Sequence, residues 1–250
     1  MLRKCAIGFV LLGVGVAFAG TPFGGDDAGA PGHPQAFIPP DQATLTCEST
    51  LLALWTKDAV CINKCLAKRA AEAAKGTPGD DEACEMKCGG SFVKKATAFE
   101  MKHPCPSCVA SPAALHAFLV GAIDGGVSAS IDCAGTTPLG GDDAGLVPPD
   151  AATAKCEVGV NKNFGKFLPA ANGKCHIQQA ASAFSHQTFD EEGCEGAFET
   201  KYNAANKKLT GCPSCLDAKA VFEGNVNGFD EFGLSRFYCA SPSGAFVGFQ

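Results

Sequence analysis

The apolar positions that follow Cys47 recur with the spacing of one face of an α-helix. They stand four, seven, fourteen and eighteen residues further on, at Leu51, Leu54, Cys61 and Cys65. Only Asp58 interrupts the stripe, and the Gly/Pro-rich residues 76–79 end it. This period predicts a long amphipathic helix that carries three cysteines on its apolar face.

Acidic residues 80–82 then open a second apolar pattern, where negative charge suits the positive end of a helix. Its inward positions are Cys84, Cys88, Phe92, Ala96 and Phe99. Shorter apolar segments at 113–123 and 218–226 follow helix-start signals at 111–112 and 216–217. The pattern therefore predicts a helical hairpin followed by a third helix.

The same plan occurs twice along the chain. The segment TPFGGDDAG at 21–29 recurs as TPLGGDDAG at 137–145, and Cys-Pro-Ser-Cys occurs at 105–108 and at 212–215. We therefore expect two tandem domains, at 46–135 and at 155–250. The Gly/Pro/Asp-rich segments 20–45 and 136–154 predict exposed, flexible linkers, because they offer little to bury. Their GGDDAG motif lacks the alternating oxygen ligands of a calcium-binding EF-hand loop.

Near-equal arm lengths between cysteines predict disulfide rungs across each antiparallel helix pair, since facing Cα atoms of packed helices lie within disulfide reach. The expected rungs are Cys47–Cys105, Cys61–Cys88, Cys65–Cys84, Cys156–Cys212 and Cys175–Cys194. Pro169 with Asn172 and Gly173 predicts a break in the first helix of the second copy. The remaining cysteines pair most simply within each copy, as Cys108–Cys133 and Cys215–Cys239. The expected fold is thus mainly α, with two tandem disulfide-stapled helical-hairpin domains, each with a third helix and a short extended tail.

The amino terminus indicates export. Two basic residues, an apolar run and the sequence Ala17-Phe18-Ala19 form a signal peptide over 1–19, with cleavage expected between Ala19 and Gly20. Cleavage would leave 14 of the 15 cysteines, an even number that favours seven disulfides in an oxidising compartment. It would also change the formal net charge from −6 to −8 through loss of two basic residues, which argues against nucleic acid as a partner. No transmembrane segment is expected after cleavage. The expected location is therefore the bacterial periplasm or the extracellular space.

The two Cys-Pro-Ser-Cys tetrads are the main candidates for chemistry. As an alternative, Cys105, Cys108, Cys212 and Cys215 could serve thiol–disulfide exchange, although neither tetrad follows the buried strand of a thioredoxin-like domain. The same four cysteines would suffice for zinc, but they lie about a hundred residues apart in an exported chain. Haem attachment is excluded because no histidine follows either tetrad.

The five histidines do not occupy matching places in the two copies, which predicts ordinary surface or packing roles. They are His33, His103, His116, His176 and His186. No cofactor, metal site or catalytic residue is therefore expected. The favoured hypothesis is a non-enzymatic binding or structural protein of the cell envelope or extracellular space, with an envelope component or another protein as partner.

The second copy resembles cysteine-rich helical segments of exported proteins from myxobacteria and related bacteria. The resemblance rests on KCEVGVNKNFGKF, KCHIQQAASAF and GCEGAFETKYNAANKKLTGCPSCLDA, which together span residues 155–218. It extends more loosely to 46–115, where Cys61, Cys88 and the second cysteine of the tetrad depart from it. The resemblance implies paired helices and an envelope or extracellular location, and it implies no activity.

Overall fold

The structure is a computed structural model that describes residues 36–77 and 81–240, with no account of the side chains of residues 231 and 232. The proposed signal peptide, its cleavage site and most of the first expected linker lie outside these residues. The described chain is mainly α-helical, which confirms the predicted fold class.

The amino-terminal half begins with the long helix α1 (Gln42–Ala73), which packs against α2 (Glu82–Glu100). Helix α3 (Pro112–Ala122) continues through a π-helical turn (Ile123–Val127) into the short α4 (Ser128–Ile131). A two-stranded antiparallel hairpin follows, formed by β1 (Pro138–Gly140) and β2 (Asp143–Leu146).

The carboxy-terminal half begins with α5 (Ala151–Ala170), a π-helical turn (Ala171–Cys175) and α6 (His176–Phe184). Helices α7 (Glu191–Asn206) and α8 (Ala218–Phe232) follow, and a 3₁₀ turn (Leu234–Arg236) leads to the last described residues. The predicted break at Pro169, Asn172 and Gly173 takes the form of a π-helical turn within the helix rather than an end of the helix. The helix stays continuous, and the π-helical turn absorbs one extra residue instead, so that Cys175 stands 19 residues after Cys156 whereas Cys65 stands 18 after Cys47.

The first helix of each half starts in the same way. Asp41 and Asp150 have nearly identical extended backbones, with φ −152° and −153°, and each carboxylate accepts a backbone N–H three residues on at 2.8 Å. Such caps satisfy N–H groups that have no partner within the helix. The matching Pro-Pro-Asp segments therefore act as helix starts.

Five of the seven disulfides are the expected rungs. They are Cys47–Cys105, Cys61–Cys88, Cys65–Cys84, Cys156–Cys212 and Cys175–Cys194. Their Cα–Cα distances of 5.1 to 5.8 Å are those of ordinary disulfides between packed elements.

The other two expected pairings, Cys108–Cys133 and Cys215–Cys239, are wrong. The structure joins Cys108 to Cys239 and Cys133 to Cys215, so each half is bonded to the tail of the other. Two buried glutamates hold the exchanged tails. Glu48 in α1 accepts N–H bonds from Cys239 at 3.2 Å and from Ala240 at 3.3 Å, and Glu157 in α5 accepts one from Ala134 at 3.0 Å.

The two halves also share one hydrophobic core, so the expectation of separate domains on a flexible linker does not describe this fold. The core cluster includes Leu51, Trp55 and Ile62 of α1 together with Phe164 of α5 and Phe229 of α8. Helices α1 and α5 approach closely at Gly165, where a Cβ would lie 2.7 Å from Asn63 Cβ. The central interface of the molecule is therefore the one between the halves.

The expected linkers are structured wherever the structure describes them. Ala36 and Phe37 are buried, and Phe37 donates its N–H to the carbonyl of Tyr238 at 2.8 Å. Residues 136–154 hold the β-hairpin and the start of α5, and Asp143 of the hairpin is buried against Arg69. The composition of residues 136–154 does not predict this packing, because Arg69, the partner of Asp143, lies 74 residues earlier in the chain.

Among the described residues, one helical stretch, Pro112–Ile131, is long and apolar enough to cross a membrane by length and composition alone. Leu115, Leu119, Ile123 and Ile131 of this stretch lie in the shared core. A buried helix of a globular fold has the same composition, and this packing favours that interpretation.

Candidate functional site

The two tetrads do not form disulfides within themselves. Cys105 and Cys212 belong to the ladders, and Cys108 and Cys215 hold the exchanged tails. The four cysteines that were candidates for redox chemistry or zinc are thus bonded to four distant partners. Each tetrad is a junction between a helical hairpin and the opposite half.

A largely apolar cavity of about 280 Å³ lies where the two halves meet. Helices α1 and α3 line it from one half, and α5 and α8 line it from the other. Trp55 and Phe164, each eight residues after the first cysteine of its half, contribute aromatic side chains. Trp55 is held in place because its indole N–H donates to the carbonyl of Leu115 at 3.1 Å.

Three asparagines line this cavity, and two of them are buried. Asn63 and Asn172 each stand 16 residues after the first cysteine of their half, and both are at least 96 % buried. Asn63 Nδ2 donates to the carbonyl of Ala59 at 2.8 Å, whereas Oδ1 of each asparagine has no hydrogen-bond partner among the described residues. An apolar cavity with a few convergent polar groups is the usual form of a small-molecule site.

Buried charge is concentrated in two further clusters, one in each half. The Arg69 cluster consists of Arg69, Asp81, Glu85, Asp124 and Asp143. The His176 cluster consists of His176, Glu191, Glu195 and Asp230. Their carboxylates correspond, since Asp81 and Glu191 stand three residues before the equivalent cysteines 84 and 194, and Glu85 and Glu195 stand one residue after them.

In the Arg69 cluster, a permanent cation is inserted between carboxylates. Arg69 Nη1 lies 2.6 Å from Asp81 Oδ1 and also contacts Asp143 of the hairpin, while Nη2 donates to the carbonyl of Gly140. Burial, and then the neighbouring carboxylates, raise the pKa of Glu85 to about 8 and that of Asp124 to about 6. This centre joins α1, α2 and the hairpin.

In the His176 cluster, an imidazole takes the central position. His176 is fully buried at the start of α6, and its Nε2 lies 2.9 Å from Asp230 Oδ1 and 3.8 Å from Glu191 Oε1. Its Nδ1 donates to the carbonyl of Asn172 at 3.0 Å and lies 3.7 Å from Glu195 Oε1. Burial, and then the charge of Asp230, raises the pKa of Glu195 to about 10.

These ligand types make the His176 cluster a candidate metal centre. One ligand atom each from His176, Glu195 and Asp230 lie within 4.8 Å of one another. Cys65, Cys84 and Cys88 form a second group with metal-binding side chains, but all three are disulfide-bonded and therefore have no thiolate to offer.

The other histidines lie apart from these centres. His116 Nδ1 lies 2.7 Å from Asp58 Oδ2, whose pKa burial raises. His103 stacks on Phe99 at the exposed end of α2, His186 is an exposed turn residue with φ 57°, and His33 lies outside the described residues. His176 is the histidine that lies in the core, where it packs on Phe229 among three buried carboxylates.

Comparison with known proteins identifies no family for this chain. No protein-family model matches the chain, and searches of curated proteins and of solved structures returned no match. Inference of function therefore depends on the residues described above.

Proposed function

We propose that this chain is an exported, non-enzymatic binding protein of the cell envelope or extracellular space, which holds a small apolar molecule in the cavity between its halves. The observation that carries the proposal is the cavity itself, built from matched helices of both halves and containing two unsatisfied amide oxygens. The surrounding frame is covalently closed by two disulfides between the halves.

Seven intramolecular disulfides support the exported location, because such bonds persist in oxidising compartments and are rare in the cytosol. The signal-like amino terminus supports the same location. Together these features favour a protein whose binding site is kept in shape outside the cytoplasm.

The cavity defines the ligand's chemistry. Its volume of about 280 Å³ lies just below the usual range for small-molecule sites, roughly 300–1,000 Å³, which favours a small ligand. Aromatic and aliphatic side chains would surround an apolar body, and Asn63 Oδ1 and Asn172 Oδ1 would accept hydrogen bonds from it. The proposed ligand is therefore a compact apolar molecule with one or two hydroxyl or N–H donors.

The alternative, a periplasmic thiol oxidoreductase, has less support. Thiol–disulfide exchange by a Cys-x-x-Cys motif needs the two cysteines to act on one substrate together, whereas here each one is bonded to a different distant cysteine. The proposal therefore assigns the tetrads a structural role.

Trp55 is the only tryptophan of the chain and lines the cavity, so its fluorescence can report occupancy directly. Titration with small phenols and medium-chain alcohols is expected to change Trp55 emission and to saturate. Gly228→Leu is expected to abolish the response, since Gly228 lines the cavity and a Cβ there would meet nothing within 4 Å.

Gly121→Leu is the matched control. Gly121 and Gly228 stand 13 residues after Cys108 and Cys215, and Gly121 is exposed, with equally open space around a Cβ. This variant should bind as the parent does. Equal responses in both variants, or no response to any of these compounds in the parent protein, would refute the proposed binding site.

A further inference from the structure

We propose that His176, Glu195 and Asp230, with Glu191 beside them, bind one divalent transition-metal ion of the Zn²⁺ class. The first three side chains come from different helices, α6, α7 and α8, and all are more than nine-tenths buried. Imidazole and carboxylate ligands bind Zn²⁺ at about 2.0–2.2 Å, so atoms on opposite sides of an ion lie up to about 4.4 Å apart. The three ligand atoms lie within 4.8 Å of one another, so an inward shift of the side chains would bring them to coordination distance.

The hydrogen bond of His176 Nδ1 decides which ring atom faces the site. A main-chain carbonyl only accepts, so the contact with Asn172 places the proton on Nδ1. In the neutral imidazole the lone pair is then on Nε2, the atom that lies 2.9 Å from Asp230 Oδ1. Two lone pairs at this distance repel unless a cation lies between them or a proton joins them. Metal-binding histidines characteristically donate their other N–H to a carbonyl or carboxylate in this way.

Glu195 provides an independent indication. Its side chain is more than nine-tenths buried, and Oε1 has no hydrogen-bond partner among the described residues. This oxygen lies 3.7 Å from His176 Nδ1, so a small movement of the carboxylate along the ring would be needed to bring it beside Nε2. A buried carboxylate oxygen without a donor is costly, and coordination of a cation would satisfy it.

The equivalent cluster in the other half contains a permanent cation. Arg69, four residues after Cys65, supplies a permanent cation to the equivalent carboxylates. The position four residues after Cys175 is Gln179, which is neutral. The structure places an imidazole rather than a guanidinium beside the carboxylates of the second half, and a bound ion would take the position that the guanidinium holds in the first.

An acidic cleft lies beside the cluster and shares Glu195 with it. It lies between α7 and α8, has a volume of about 350 Å³ and includes Glu195 in its lining. Glu192, Glu199 and Glu223 line the rest of its acidic wall. Clustered negative charge raises the local concentration of cations, so metal ions would accumulate beside Glu195.

The test is metal binding by the oxidised full-length chain. After dialysis against a chelator, calorimetric titration with Zn²⁺ is expected to show one site per chain with a dissociation constant below about 1 μM, and Ca²⁺ is expected to bind at least about 100-fold more weakly because it prefers all-oxygen ligands. Co²⁺ should give the visible absorption of a mixed nitrogen and oxygen site.

Glu195→Gln is the informative variant, because it keeps the shape of the side chain and removes a ligand. It is expected to weaken Zn²⁺ binding about 100-fold, whereas Glu85→Gln, at the matched position of the Arg69 cluster, should leave it unchanged. A double variant, His103→Gln with His186→Gln, removes exposed histidines and should also retain the site. Absence of a one-to-one Zn²⁺ site in the parent, or equal binding by the parent and Glu195→Gln, would overturn the proposal.

Discussion

The two halves bury similar sets of carboxylates around different cations. In the first half, Arg69 lies between Asp81 and Asp143, and the β-hairpin supplies part of the centre. In the second half, His176 occupies the centre and lies against Asp230, with Glu191 and Glu195 beside it. A guanidinium keeps its charge at all accessible pH values, whereas an imidazole can lose a proton or bind a metal. The comparison indicates a permanent structural centre in one half and an exchangeable centre in the other.

Removing the permanent cation should have the largest effect. Arg69→Met would leave Asp81 and Asp143 buried without their counter-ion, and breaking a buried pair in this way costs about 3–5 kcal/mol. Urea unfolding monitored by circular dichroism measures the loss. Lys68→Met is the control on the same helix, because Lys68 is exposed and its pair with Glu72 contributes less than about 1 kcal/mol. Equal losses in the two variants would contradict a structural role for the Arg69 cluster.

The disulfides distinguish contacts within a half from those between halves. Replacing Cys108 and Cys239 by serine should cost about 2–4 kcal/mol, and more than the same change at Cys61 and Cys88. The reason is the length of chain that each bridge closes, with sequence separations of 131 and 27 residues. Urea midpoints of the two double variants test the order. A larger loss for the Cys61–Cys88 pair would show that the ladder, rather than the exchange of tails, dominates stability.

The buried carboxyl groups beside the exchanged tails should make the protein more stable at pH 5 than at pH 8. Burial raises the pKa of Glu48 to about 8, from 4.5, and burial together with Glu157 raises that of Asp132 to about 8, from 3.8. Between about pH 4.5 and 8 the folded chain keeps protons that the unfolded chain releases, so the free energy of unfolding falls as pH rises. We expect a decrease of about 3 kcal/mol for each of these two groups from pH 5 to pH 8 in urea unfolding.

Glu48→Gln should reduce this slope, because the amide keeps an oxygen acceptor for the N–H groups of Cys239 and Ala240 and does not titrate. Stability that instead rises over the same interval would mean that Glu48 and Asp132 are ionised in the folded protein.

The smallest expected difference is at the helix starts. Asp41→Ala and Asp150→Ala each remove a side-chain cap and should each cost about 1 kcal/mol. Because the two caps have nearly the same geometry, the two losses should agree within about 0.5 kcal/mol, and Gln42→Ala, at an exposed neighbouring position, should cost less. Thermal unfolding of the three variants measures these losses of stability. Clearly unequal losses for the two aspartates would indicate that the halves do not begin alike.

The spacing of cysteines and apolar residues along the chain predicted the contacts within each helical hairpin. Cysteines separated by 19 residues across a helical hairpin, such as Cys65–Cys84, have few ways to pair, and helix periodicity fixes their faces. Cys133 and Cys239 follow short segments whose direction depends on the packing of α1 against α5. That packing is a long-range property, so nothing in the spacing distinguishes pairing within a half from pairing between halves.

The His176 cluster was missed for a related reason. The matched position in the first half is Leu66, a core residue. Because the histidines do not repeat between the halves, the sequence predicts surface or packing roles for them. The available signal lay in the acidic residues, since Asp81 with Glu191 and Glu85 with Glu195 occupy matching positions. These carboxylates are buried in the folded chain, where α8 places Asp230 beside His176.

The exchange of tails between the halves is the central claim, and a non-reducing peptide map tests it most directly. Proteolysis of the oxidised protein followed by mass spectrometry should yield one peptide pair linked through Cys108 and Cys239 and another linked through Cys133 and Cys215. Recovery of Cys108 linked to Cys133, and of Cys215 linked to Cys239, would show instead that each half closes on itself.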